Sequence, residues 1–340
     1  MTPTPTTMHI PSATWRIGRR LLRGIGRTLA ALAGLIVVLG LAGASYEAIA
    51  AAGDARRYPA PGQLVDVGGY RLHIQCVGTG SPTVVLDAGL GGSSLDWSIV
   101  QPELGRTTRV CAYDRAGMGW SERSPYPRTP RQIADELHTL LTNAGIAGPY
   151  VLVGHSLAGK NVRLFALEHP EQVVGMVLVD ARSEYVDANT SPAEEQAFQQ
   201  ALAAQASQFR VARSLGLVRL IGAGLWGGPA MPRHMRTEGM LFQTSRRAVD
   251  AQTAEGLQRA ADDALLRAAP SLGDRPLIVL AAGQKVADDP IWAEAQRRQA
   301  ALSTNGRLIV AEGSGHSIHW DQPALVIDAL RQVIEQARSR

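Results

Sequence analysis

The chain has 340 residues, 45% hydrophobic and 19% charged, which excludes disorder as its main state and supplies a core for one large α/β domain or two smaller ones. Two cysteines exclude a disulfide scaffold or a zinc-finger array, and 5% aromatics argue against a stacking surface for single-stranded nucleic acid. The net charge of +4 resides in residues 1–27, where Arg16, Arg19, Arg20, Arg23 and Arg27 occur without an acid. The remainder carries 29 basic against 30 acidic residues, so nucleic acid is not an expected partner.

After this basic leader (1–27), the 18 residues Leu29–Tyr46 are uncharged, near the lower limit for spanning a bilayer as a helix. They are apolar all round rather than striped, unlike a buried core helix. The preceding arginines direct the N-terminus to the cytoplasm and the body to the other side. Residues 28–50 are therefore read as a transmembrane anchor or a signal segment, with Ala48-Ile49-Ala50 as the small-residue cleavage site in the second case. The long leader and long apolar run favour the anchor. The expected location is the membrane with the body extracytoplasmic, or export after cleavage.

A Pro/Gly linker, Tyr58–Gly62, leads into the body, residues 58–340. Gln63–Val67 and Arg71–Val77 are predicted as a hairpin turned by Gly68-Gly69. Thr83–Ala88 and Arg109–Tyr113 are short β-rich runs, and Thr129–Ala144 is predicted helical with Ile133, Leu137 and Leu141 on one face. Tyr150–Gly154 is an unbroken apolar run, as expected for a strand buried on both faces. A helix over Asn161–Glu168 and a strand over Val173–Val179 follow. Strand–helix pairs at Leu277–Ala282 with Ile291–Leu302, and at Leu308–Ala311 with Ala324–Ala337, close the chain. Such alternation implies a mainly parallel sheet. Residues 182–274 break the rhythm with Ala/Gln-rich helical patterns, and are read as a helical lid over the C-terminal edge of the sheet.

Gly154-His155-Ser156-Leu157-Ala158-Gly159 ends a predicted strand and opens a predicted helix. A serine on so tight a turn has its hydroxyl thrust out of the sheet, and small neighbours relieve the crowding. In this context the sequence resembles the α/β-hydrolase family over roughly residues 63–338. Ala158 departs from the family's G-x-S-x-G pattern at the fifth place, and Gly159 follows directly. The resemblance implies an eight-stranded, mainly parallel sheet with helices on both faces, and Ser156 as nucleophile. It implies His316, between the last strand and last helix, as general base and acid. The base needs an orienting carboxylate. Asp180, at the end of Val173–Val179, is preferred over Asp288, in the loop after Leu277–Ala282 that is the family's commoner place for the acid. Ala88-Gly89-Leu90-Gly91-Gly92 resembles the family's glycine-rich loop, so the backbone N–H groups of Leu90 and Leu157 are the expected oxyanion donors. Asp114–Ser121 (DRAGMGWS) resembles a family loop near the site and is read as structural, with Asp114 and Arg115 bracing it. Trp97, Trp120 and Trp320 are either pocket lining or core. Cys76 and Cys111 lie on strands adjacent in the family's sheet order, and either pair or remain free thiols.

The function expected from this resemblance is hydrolysis of a carboxylic ester, or less readily an amide, through an acyl-enzyme on Ser156. The same triad would also suit an acyltransferase or perhydrolase. A non-catalytic binding protein on the hydrolase fold is the reading from another class, since fold alone does not establish catalysis. No metal cluster or cofactor motif is present in the sequence, so no cofactor is expected. The expected partners are a small ester or acyl substrate and the membrane.

Overall fold

The computed structural model describes residues 12–222, 226–227 and 231–340. An N-terminal helix, α1 (Ser12–Arg57), runs through the expected span and beyond it. Eight strands form one sheet: β1 (Gln63–Asp66), β2 (Arg71–Val77), β3 (Thr83–Asp87), β4 (Val110–Tyr113), β5 (Tyr150–His155), β6 (Val173–Val179), β7 (Leu277–Ala282) and β8 (Gly306–Ala311). Their order is β1-β2-β4-β3-β5-β6-β7-β8. β1, β2 and β4 pair antiparallel, and every other pairing is parallel. Cys76 stands opposite Cys111 in the β2–β4 register, and the two are joined as a disulfide.

The unbroken apolar run of β5 is buried along its whole length. Alternating side chains send Leu152 into one core layer and Val151 and Val153 into the other. On the first face, Leu137 and Leu140 of α3 (Pro130–Asn143) and Leu164 and Phe165 of α4 (Ala158–Glu168) close the layer. On the second, Val100 and Leu104 of α2 (Val100–Leu104) meet Leu330 and Val333 of the last helix. The predicted helix at Thr129–Ala144 becomes α3 with Thr129 as its N-cap, accepting from the Gln132 N–H. The predicted helix at Asn161 begins three residues earlier, because the turn at Ser156 feeds directly into α4.

Between β6 and β7 the described residues form helices and no strand: α5 (Glu184–Ala188), α6 (Pro192–Ser214), α7 (Leu217–Ile221), α8 (Arg233–Gln243), α9 (Arg246–Gln258) and α10 (Asp263–Ala268). A capping box at Ser191–Glu194 starts α6. After β7 come α11 (Gly283–Asp288) and α12 (Pro290–Ala300), and after β8 come α13 (Ile318–Asp321) and α14 (Pro323–Arg338). The short α11 stands where the sequence suggests a loop.

Candidate active site

Ser156 follows the last residue of β5, with φ 54°, in the left-handed region that side chains rarely occupy. Its N–H donates to the Val179 carbonyl, and its carbonyl accepts from the Gly159 and Arg182 N–H groups. The turn is overdetermined by packing. A Cβ at Gly154 would stand 2.7 Å from the Ala158 carbonyl oxygen, and one at Gly159 would stand 2.5 Å from Ala181 Cβ. Gly154 and Gly159 are thus the positions of this turn where a side chain would collide, while Ala158 is fully buried.

His316 lies between β8 and α13, with its Nε2 2.8 Å from Ser156 Oγ. Its Nδ1 is 2.5 Å from Asp180 Oδ2. Asp180 directly follows β6 with φ 41°, again left-handed. Its other oxygen accepts from the Ala282 N–H at 3.0 Å and the Trp292 indole N–H at 2.8 Å. Burial alone would raise its pKa, but the hydrogen bonds from His316, Ala282 and Trp292 outweigh it and hold the carboxyl below its ordinary value. Ionised Asp180 accepts from Nδ1–H, which leaves Nε2 free to accept from the serine hydroxyl. The His316 side chain is 42% exposed, so the pair is open to a substrate.

The structure brings Ser156, His316 and Asp180 together and leaves Asp288 apart. Because β7 runs straight into α11, Asp288 is carried to the exposed end of that helix. Its neighbour Asp289 caps α12, accepting from the Trp292 N–H.

The Gly89 segment closes the other side. A Cβ on Gly89 would come within 3.2 Å of Ser156 Cβ and 2.7 Å of His155 Nδ1. The Gly89 carbonyl accepts from Arg115 at 2.7 Å and from the Gly92 N–H at 2.9 Å. A trans peptide sets a carbonyl and the following N–H in opposite directions, so this anchoring turns the Leu90 N–H away from Arg115. Among the described residues, the N–H groups of Leu90 and Leu157 make no internal hydrogen bond.

A model of the alpha/beta hydrolase family matches residues 84–329. The chain belongs to the alpha/beta hydrolase family. The chain is 28% identical over 304 residues to a probable transporter, efuK, of Hormonema carpetanum, covering 82% of this chain and 43% of that protein. It is 29% identical over 311 residues to an uncharacterised protein of Schizosaccharomyces pombe, covering 81% of this chain and 56% of the other. It thus spans about half the length of these two curated relatives. A thermophilic esterase from Thermogutta terrifontis shares the fold, with a TM-score of 0.60 at 22% identity, covering 81% of this chain and 97% of that one.

The candidate site draws on residues to which the sequence assigned a lesser role or none. Arg115 is fully buried and reaches Asp87 (2.7 Å), the Ala88 and Gly89 carbonyls, and Glu255 of α9 (2.9 Å). It therefore holds the glycine-rich loop itself, rather than only bracing its own. Asp114 performs the bracing, accepting from His73, Ser94 N–H and Trp120 N–H. His155 donates from Nε2 to the His316 carbonyl at 3.0 Å. Burial, with His316 adding to it, pushes the His155 pKa down to about 3, so its ring stays neutral. Burial likewise pushes His319 well below the ordinary value. Burial pushes Asp96 up to about 7.

Trp97 is buried core against His319, and Trp320 packs on Trp226 while donating to the Asp96 carbonyl at 3.0 Å. Trp120 lines a cavity of 530 Å³ with Tyr58, Leu95, Met235 and Glu238, and that lining does not include Ser156. Among the described residues, no group of three or more His, Cys, Asp or Glu side chains is placed to hold a metal ion.

Proposed function

We propose that this chain is a serine hydrolase that cleaves a carboxylic ester through an acyl-enzyme on Ser156. The observation that carries the reading is the continuous chain of hydrogen bonds from Ser156 Oγ through His316 to Asp180. Ser156 Oγ attacks the ester carbonyl carbon while its proton passes to His316 Nε2, and Asp180 steadies the imidazolium. The negative oxygen of the tetrahedral species is received by the N–H groups of Leu90 and Leu157. Collapse expels the alkoxide, which takes the proton from His316 and leaves as the alcohol. Water, deprotonated by His316, then attacks the acyl-enzyme, releasing the carboxylic acid and restoring the Ser156 hydroxyl. A serine at the turn argues against chemistry that needs an aspartate nucleophile there.

In this reading residues 1–27 are a leader, 28–50 a retained membrane anchor, and 58–340 the hydrolase domain, with 182–274 as its lid. The body lies on the extracytoplasmic side. Two observations support that placement: the arginines precede the apolar run, and the cysteines are paired, as oxidising compartments favour.

The test is labelling of the full chain with a fluorophosphonate probe, with the adduct mapped by mass spectrometry. The adduct is expected on Ser156 and absent from Ser156→Ala. A folded wild-type chain that takes no label overturns the reading.

A further inference from the structure

The N-terminal helix is built into the helical insertion. Near its C-terminal end, α1 carries Glu47 and Asp54, which meet Arg213 of α6 and Arg219 of α7. Arg219 bonds Glu47 at 2.6 Å and Asp54 at 2.9 and 2.5 Å. Arg213 pairs with Glu47 and also donates to the Leu241 carbonyl at 2.7 Å, tying the cluster to α8. Below these charges the contact becomes backbone on backbone. A Cβ at Gly43 would collide with the Leu215 carbonyl oxygen, and a Cβ at Gly40 would stand 3.8 Å from a Leu215 methyl. Gly216, with φ 70°, turns the chain from α6 into α7 beside the Gly43 carbonyl and the Tyr46 ring.

These contacts fix a depth. Gly40 and Gly43 belong to the apolar run that ends at Tyr46. At 1.5 Å per residue, Gly40 lies about 9 Å inside that end. A turn packed on Gly40 and Gly43 therefore sits level with the last turns of the apolar run. Its side chains and those of α7 are sorted by polarity. Arg213 and Arg219 fold inward onto the acids of α1. Leu217, Leu220 and Ile221 point outward, 43%, 71% and 63% exposed, and Leu215 is also exposed. The apolar side chains Leu35, Ile36 and Leu39 of α1 are exposed as well, and the corner adjoins the helix at Gly40 and Gly43, close to them in sequence.

We propose that the α6–α7 corner, through Leu215, Leu217, Leu220 and Ile221, is seated in the lipid bilayer beside α1, so that the insertion lies on the membrane. The proposal rests on α1 being a retained anchor. It commits to lipid as the occupant, because the patch adjoins the apolar run of a helix long enough to span. The corner then acts as an interfacial element, with apolar side chains inserted at the boundary of headgroups and acyl chains.

Wild-type cysteines are consumed by the disulfide, so single cysteines can be introduced for nitroxide labelling of the full chain in phosphatidylcholine/phosphatidylglycerol vesicles. The labels are Leu220→Cys and Ile221→Cys, with Ile36→Cys as the reference within the span and Gln200→Cys as the exposed reference on α6. Collision of each label with oxygen, which partitions into lipid, is compared with collision with a water-soluble nickel chelate. The expected result is an oxygen-to-nickel ratio at 220 and 221 several-fold above that at 200 and of the kind seen at 36. A lipid-like ratio at 36 with water-like ratios at 220 and 221 overturns the proposal while leaving the anchor intact. A water-like ratio at 36 removes the anchor and the proposal together. Labels at 220 and 221 shielded from both reagents mark a protein contact, and also overturn it.

Discussion

The sheet and the helical insertion are held by different forces. Strands β3, β4, β5 and β7 are buried along their whole length, and their neighbours in both layers are almost entirely apolar. The insertion has only a small apolar cluster, Val218, Trp226, Met231, Met240 and Leu241, which packs on Leu95 of the body. Much of its attachment is ionic: Lys160 to Asp187 and Asp263, Arg163 to Glu184, and Arg115 to Glu255. Apolar burial is non-directional and tolerates small shifts. A buried ion pair holds only in one geometry, and loss of one partner leaves the other uncompensated. The insertion is therefore the part that single substitutions can loosen while the sheet persists.

The sharpest contrast comes from the sheet side, where a substitution should strike catalysis alone. Asp180→Asn keeps an acceptor for Trp292 and Ala282 but loses the charge facing His316, and kcat for an ester substrate should fall about 10⁴-fold with an unchanged melting temperature. On the insertion side, Lys160→Met should lower the unfolding free energy by about 3–5 kcal/mol. Hydrogen exchange should then accelerate in α5–α10 ahead of the strands. Uniform acceleration across both regions would erase the distinction drawn here. Arg115 joins the two regions, since it holds the Gly89 carbonyl on one side and Glu255 on the other. Arg115→Lys cannot reach all of these acceptors, and kcat should drop about 10²–10³-fold with KM little changed, as when an oxyanion donor is misplaced.

The smallest effect is one of pH. His155 takes up a proton near pH 6.5 when unfolded and near 3 when folded, so its contribution is intact above pH 6.5 and is lost on acidification. Between pH 7 and 5 that loss is about 2 kcal/mol. His319 acts in the same direction. Asp96, pushed up to about 7, opposes both, because the folded state takes up its proton first as pH falls. Asp96→Asn removes the opposition. Urea unfolding at the two pH values should therefore show a steeper acid loss in the variant than in the wild type, and parallel losses would contradict the assignment.

All eight strands were legible in the sequence: the buried parallel ones as short apolar runs such as Tyr150–Gly154 and Leu277–Ala282, and β1 with β2 as a hairpin around Gly68-Gly69. Ser156 and His316 were legible because each sits at the end of such a run. The acid was less so. Whether Asp180 or Asp288 faces the histidine depends on whether the chain after β7 is loop or helix, and Gly283–Asp288 carries no signal that separates them. Arg115 and Trp292 reach their partners through tertiary packing. Arg115 meets Glu255 140 residues away, and Trp292 meets Asp180 112 residues away, so no local pattern records either bond. The α1–insertion contact was hidden for the same reason, although Gly40 and Gly43 were visible in the apolar run.

The left-handed backbone at Ser156 and Asp180 bears on engineering. Each such residue costs roughly 1–3 kcal/mol that a glycine in the same place would largely recover. A library of this protein screened only for survival at high temperature would accordingly enrich glycine at positions 156 and 180, and on the proposed mechanism such variants would be inactive. Directed evolution toward heat resistance should hold those two codons constant and seek its gains among the ionic contacts of the insertion.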